Sequence, residues 1–227
     1  NVTGFDQRSG TLATAQSSVS RTSELFVTRD GVTDQVTQVG MSGSGWEHFL
    51  VPCTDGTGEI DAWIMRPSGF DPDASYPVLL NVHGGPFTQY GEVFFDEAQM
   101  QAAAGFVVLM SNPRGGSGRD SAWGQAINGP KHHDVPGTGW GSVDVDDVMA
   151  VLDTALDRYS FCDADRVGML GGSYGGYMAT TLAARHGERF GAICSERAVN
   201  NLLTEEWSSD IGMTFRIEHG VDPVTDP

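Results

Sequence analysis

Apolar and polar positions change their rhythm at about Trp46. Before it, short alternating runs such as Leu25-Phe26-Val27-Thr28 and Gln35-Val36-Thr37-Gln38-Val39 read as antiparallel strands. Arg29-Asp30-Gly31 supplies turn chemistry between them. Such strands are too few for an independent sheet, so residues 1–45 read as the end of something larger. After Trp46, apolar strand-like runs alternate with stretches of helical spacing. Phe49–Cys53 and Ala62–Met65 form a hairpin pair. Pro77–Val82, Phe106–Met110 and Val167–Leu170 are short continuous apolar runs, the mark of strands covered on both faces. A fourth strand is expected at Gly191–Cys194, and helices around Phe94–Ala104, over Val143–Tyr159 and over Tyr177–Arg185. Asp144, Asp146 and Asp147 fall in the first turn of the second helix, where they complement its dipole. Strand alternating with helix predicts an α/β fold, a mostly parallel sheet with helices on both faces.

Composition narrows the class. The 227 residues carry a formal net charge of −17, which disfavours nucleic acid and anionic membranes as partners. No apolar run approaches membrane-spanning length and no signal-peptide pattern opens the chain, so a cytoplasmic location is expected. Cys53, Cys162 and Cys194 are scattered and lack a CxxC pair, which reads as three small buried apolar residues rather than disulfides or a zinc site. His132-His133 has no clustered partner ligands and reads as a loop. Neither a metal nor a cofactor is expected.

The chemistry concentrates at Gly171-Gly172-Ser173-Tyr174-Gly175, between a predicted buried strand and a predicted helix. A bare GxSxG recurs by chance. In a strand–turn–helix setting it becomes a nucleophile elbow, whose sharp turn lifts the serine clear of the sheet. Gly171 and Gly175 remove side chains that would block the turn. The helix that follows aims its first amides at the site, so the Tyr174 N–H can stabilise an oxyanion. A dinucleotide loop is excluded because Ser173 takes the middle glycine position, and a phosphate loop because Tyr177 stands where a lysine is needed. The strand ending at Val82 runs into His83-Gly84-Gly85-Pro86, and the loop after an early strand supplies the second oxyanion donor in this architecture. His83 itself reads as structural, because the base in this fold comes after the nucleophile.

These motifs resemble the prolyl oligopeptidase family of serine peptidases, nearest its acylaminoacyl-peptidase-like branch. The ordered stretches are His83-Gly84-Gly85-Pro86 with Gln89-Tyr90-Gly91 and Phe94-Phe95, then Asn112-Pro113-Arg114-Gly115. Trp140-Gly141 leads into Asp144–Asp147, and Asp163–Arg166 precedes the elbow. Gly171–Met178 and Ser209-Asp210-Ile211-Gly212 complete the series. Arg119 follows Gly118 where the family often has an aromatic. The resemblance implies an α/β-hydrolase catalytic domain over 46–227, incomplete, preceded over 1–45 by the last strands of a β-propeller and its exit linker. It implies Ser173 as nucleophile, with Gly85 N–H and Tyr174 N–H as the oxyanion hole, acting on short peptides of acylaminoacyl or dipeptidyl type. Relatives often associate, so a homo-oligomer is a further expectation.

A triad needs an acid and a histidine after the serine. The aspartates available are Asp210, Asp222 and Asp226, and the histidines His186 and His219. None follows a strand that would carry it to the catalytic edge, so the triad Asp and His are expected outside this chain, in a longer parent protein. Glu205-Glu206 reads as an exposed helix face. The competing readings are an esterase or lipase-like hydrolase using the same elbow, and an inactive hydrolase-fold interaction module.

Overall fold

A computed structural model of the chain describes residues 1–220, and residues Asp222 and Asp226 therefore lie outside it. Two sheets account for its strands. The first is a four-stranded antiparallel meander of β1 (Val2–Arg8), β2 (Thr11–Ser18), β3 (Arg21–Arg29) and β4 (Val32–Gln35), paired in sequence order. The expectation of too few strands for a sheet is thus corrected to four paired strands. Strands β1 and β2 escape notice because their Thr, Gln and Ser side chains carry no clear apolar alternation, and β1 is exposed along its whole length. Gln35–Val39 is not a strand beyond Gln35. The cause is Glu24, a buried carboxylate of β3 that accepts Thr37 Oγ1 (2.5 Å), Val39 N (3.2 Å) and Gly40 N (2.7 Å) and pulls the chain out of the ladder. Thr37, the first of these donors, holds the Glu24 carboxyl below its ordinary pKa.

The second sheet has six strands: β5 (Trp46–Pro52), β6 (Glu59–Met65), β7 (Tyr76–Val82), β8 (Val107–Asn112), β9 (Cys162–Gly172) and β10 (Ala192–Glu196). Their spatial order is β10-β9-β7-β8-β6-β5. The four strands from β10 to β8 run parallel, and β6 and β5 are antiparallel at one edge. Strands β7, β8 and the second half of β9 carry the continuous apolar runs of the sequence, and Val78, Leu80, Val107 and Leu109 are fully buried. On one face they pack against α3 (Val143–Arg158) and α4 (Tyr174–His186), through Val148, Leu152, Met178 and Leu182. On the other face α1 (Asp96–Ala103) sets Ala98 and Ala102 against Met65 and Val108. Short helices α2 (Ser121–Gln125), α5 (Leu202–Ser208) and α6 (Gly212–His219) complete the described chain. This is an α/β-hydrolase sheet preceded by a propeller-type antiparallel sheet.

Three local expectations are corrected. Helix α4 begins at Tyr174, not Tyr177, because Gly175 and Gly176 lie inside it despite their poor helix propensity. Cys53 and Cys162 are buried, whereas Cys194 is exposed, since β10 is an edge strand with no neighbour on one side among the described residues. Asp144 and Asp147 do more than complement a dipole. Both are fully buried, and Asp147 holds the buried guanidinium of Arg114 by Oδ2 to Nε (2.8 Å) and Oδ1 to Nη2 (2.7 Å). Asp55 joins this pair through Arg114 Nη1 (2.5 Å), tying the β5–β6 turn to the loop after β8. No helix among the described residues is long and apolar enough to cross a membrane.

Candidate active site

The chain leaves β7 through α1 to β8 on one side, then returns through α3 to β9 on the other. The reversal opens a crevice at the carboxyl ends of β7 and β9, the place where ligands bind in open α/β sheets. His83-Gly84-Gly85-Pro86 follows β7 and Ser173 follows β9, so the topology alone delivers both candidate motifs to this crevice. Gly84 is so close that a Cβ placed on it would sit 3.3 Å from Gly172 O and 3.5 Å from Ser173 Cβ.

Ser173 has φ 59° and ψ −119°, a conformation that L-residues rarely adopt. The contacts around it enforce the turn. Its N–H donates to Glu196 O of β10 (3.0 Å), and its carbonyl accepts Tyr177 N (3.0 Å) as the first bond of α4. Its hydroxyl makes no capping bond to the helix. Gly171 and Gly175 are required by close approach. A Cβ on Gly171 would meet the Gly175 carbonyl, and one on Gly175 would meet the carbonyls of Val82 and His83. The helix is therefore packed directly on the end of β7.

Gly85 has φ +123° and lies in the turn after β7, where a Cβ would come within 2.7 Å of Phe87 N and 2.9 Å of Thr88 N. His83 scaffolds this turn. It is buried, its Nδ1 lies 2.7 Å from Gly84 O and 3.1 Å from Thr88 Oγ1, and its ring stands edge-on to Tyr90. Burial lowers its pKa and favours the neutral ring. The next loop braces the first: Ser117 N donates to Thr88 O (2.9 Å), and a Cβ on Gly116 would lie 3.3 Å from the same carbonyl. A cavity of about 380 Å³ borders Ser173, with Gly84, Tyr90, Phe95, Glu97 and Arg197 among its walls. Burial raises the Glu97 pKa, the Glu196 charge adds to that, and Arg197 opposes it.

Tyr174 faces two ways. Its backbone opens α4 next to Ser173, while its side chain is 1% exposed and runs into the core. Its hydroxyl donates to Asp144 Oδ2 (2.5 Å), at the start of α3. Nothing in the sequence marks this pair, because the residues are thirty positions apart and on different elements.

The other titratable candidates lie elsewhere. His186 ends α4 and Asp210 is exposed. His219 is buried against Glu206, Nδ1 to Oε1 3.0 Å. The expectation that Glu206 lies on an exposed helix face is thereby corrected, for its side chain is 3% exposed and faces α6. Among the described residues, His83 is the histidine that lines the Ser173 cavity, and its ring is committed to the turn. His132 accepts Asp134 N and Val135 N within its own loop, and His133 is exposed. No group of three His, Cys, Asp or Glu residues among those described is placed to hold a metal ion.

Comparison with known proteins supports this fold. Residues 92–226 match the family model described as "Prolyl oligopeptidase family". The chain is 36% identical over 163 residues to the uncharacterized peptidase YuxL of Bacillus subtilis, covering 70% of this chain and 23% of that protein. It is 32% identical over 171 residues to dipeptidyl-peptidase 5 of Schizosaccharomyces pombe, covering 73% and 23%. Among solved structures, the acylaminoacyl peptidase of Pyrococcus horikoshii superposes with TM-score 0.82 at 27% identity, over 100% of this chain and 36% of that one. An acylaminoacyl peptidase in complex with Z-Gly-Gly-Phe-chloromethyl ketone gives TM-score 0.83, also at 27% identity, over 100% and 35%. The chain thus spans about a quarter of the length of these curated relatives. The family model matches more than half of the chain, elbow included, and the chain belongs to the prolyl oligopeptidase family.

Proposed function

We propose that the parent protein is a serine peptidase that hydrolyses short peptides, of acylaminoacyl or dipeptidyl type, through an acyl-enzyme on Ser173. The observation that carries this reading is the elbow: Ser173 held at φ 59° at the carboxyl end of β9, with the Gly84 turn packed against it. Ser173 Oγ attacks the scissile carbonyl carbon and passes its proton to a histidine base. The carbonyl oxygen becomes an oxyanion, stabilised by the N–H groups of Tyr174 and Gly85. Collapse breaks the C–N bond, the amine leaves with the proton, and water then hydrolyses the acyl ester. The histidine and its aspartate lie outside this chain. On this reading residues 1–45 are the end of a propeller domain and its linker, and residues 46–227 are an incomplete catalytic domain.

Support for a peptide rather than a simple ester comes from the family match and from the antiparallel sheet placed ahead of the hydrolase sheet. The test is hydrolysis by the full-length protein of an acylaminoacyl anilide and an aminoacyl anilide beside a p-nitrophenyl ester. The expected result is turnover of at least one anilide, lost in Ser173→Ala. Ester cleavage with both anilides untouched would instead favour an esterase, and no turnover of any of the three by the folded protein would favour an interaction module.

A further inference from the structure

Oxyanion stabilisation depends on where an amide points, and the Tyr174 amide belongs to the first residue of a helix. That helix is held to one short segment at both ends. At its start, Tyr174 Oη donates to Asp144 Oδ2, 2.5 Å away. In its last turn, Arg185 Nη1 donates to Gly141 O. Eleven residues of helix separate the two fastenings, about 16 Å at the usual rise. The receiving segment is itself fixed by Asp144, which accepts Gly141 N on Oδ2 (2.9 Å) and Ser142 N on Oδ1 (2.6 Å). Trp140 closes the arrangement, its ring edge-on to Tyr174 with centroids 4.9 Å apart.

Stability alone does not call for this pair. Taking a carboxylate out of water is costly, and apolar residues of similar volume often serve a core as well. Burial raises the Asp144 pKa, while its bonds to Tyr174, Gly141 and Ser142 work against the rise. What the pair adds is direction. A phenol bonded at 2.5 Å to a carboxylate fixed by two backbone amides has one position, and the amide of the same residue takes its aim from it.

We propose that the Tyr174–Asp144 hydrogen bond is a positioning latch for the oxyanion-hole amide of Tyr174. The inference rests on the proposed peptidase function. Neither side chain touches substrate; both act through the amide. Loss of a whole oxyanion-hole donor costs about 100- to 1,000-fold in kcat. A donor kept but released from its latch should cost less, on the order of 10- to 100-fold.

The experiment compares full-length wild type with Tyr174→Phe, Asp144→Asn and the double variant. It measures kcat and KM on a peptide anilide and the affinity for the matching peptide aldehyde, whose adduct with Ser173 places an oxyanion in the hole. The expected result is a 10- to 100-fold loss of kcat and of aldehyde affinity at a KM within about threefold, with the double variant no worse than either single one. Unchanged kcat in a folded Tyr174→Phe protein would overturn the latch. So would a loss of kcat with unchanged aldehyde affinity, or multiplicative losses in the double variant. Should Tyr174→Phe not fold, Asp144→Asn reads the bond from its other end; failure of both to fold makes the bond purely structural and overturns the role. If wild type itself neither binds the aldehyde nor cleaves the anilide, the peptidase reading has failed, and the latch falls with it.

Discussion

Ser173 is held in a conformation it would not choose. Its φ of 59° is sustained by bonds on either side of it and by glycines that let α4 lie on the end of β7. At Gly175 the fit leaves no room for a methyl group, because a Cβ would meet two backbone carbonyls that cannot rotate away. Gly175→Ala is therefore expected to destabilise the protein by about 1–3 kcal/mol and to abolish reaction at Ser173. Thermal unfolding together with active-site labelling checks this, and full labelling at wild-type stability would contradict it. Arg114 makes the opposite point. Its partner Asp147 is 0% exposed, so Arg114→Met leaves a charge buried without its cation and should cost about 3–5 kcal/mol in urea unfolding. The exposed pair Arg189–Asp153 serves as the control, and its loss should cost no more than about 1 kcal/mol. The serine was legible in the sequence, because a strand, a glycine turn and a helix follow one another within a few residues. The Asp147–Arg114 and Tyr174–Asp144 pairs were not, because no local pattern joins residues brought together only by the sheet.

Among the elements, strands β7, β8 and the second half of β9 were readable because their buried stretches Val78–Leu80, Val107–Met110 and Val167–Leu170 are nearly uninterrupted apolar runs. Helix α3 was readable from its apolar stripe. Strands β1 and β2 and the true start of α4 were not, since polar strands without apolar alternation and glycines inside a helix leave no such trace. Helix α6 carries a consequence of its tertiary setting. Glu218 is 4% exposed, its Oε1 accepts Trp140 Nε1 (2.7 Å), and burial raises its pKa to about 7 against the opposing effect of that bond. Its folded value lies above its unfolded one, so the folded state holds the proton more tightly. Stability is then fully present below the unfolded value and is lost as pH rises towards about 7. Each tenfold difference in proton affinity between the folded and unfolded states is worth about 1.4 kcal/mol. Glu218→Gln keeps an oxygen acceptor for Trp140 and removes the proton equilibrium. Urea unfolding of both proteins between pH about 4.5 and about 7 should show a falling slope in wild type that is flatter in the variant. Parallel slopes would contradict the assignment.

At the scale of the molecule, the sheet order determines where chemistry can occur. The reversal between β7 and β9 places the glycine turn and the serine elbow on the two sides of one crevice, and the loop after β8 braces that turn. The sequence conveyed this because the order of strands and motifs along the chain already implies it. The acid and base could not be read in the same way: among the described residues, His83 alone of the histidines lines the cavity, and it holds the turn. The most direct test of the nucleophile is to label the full-length protein with a fluorophosphonate and map the modified peptide by mass spectrometry. The expected result is a single adduct on Ser173, lost in Ser173→Ala; an adduct on any other residue, or none in a folded protein, would contradict it.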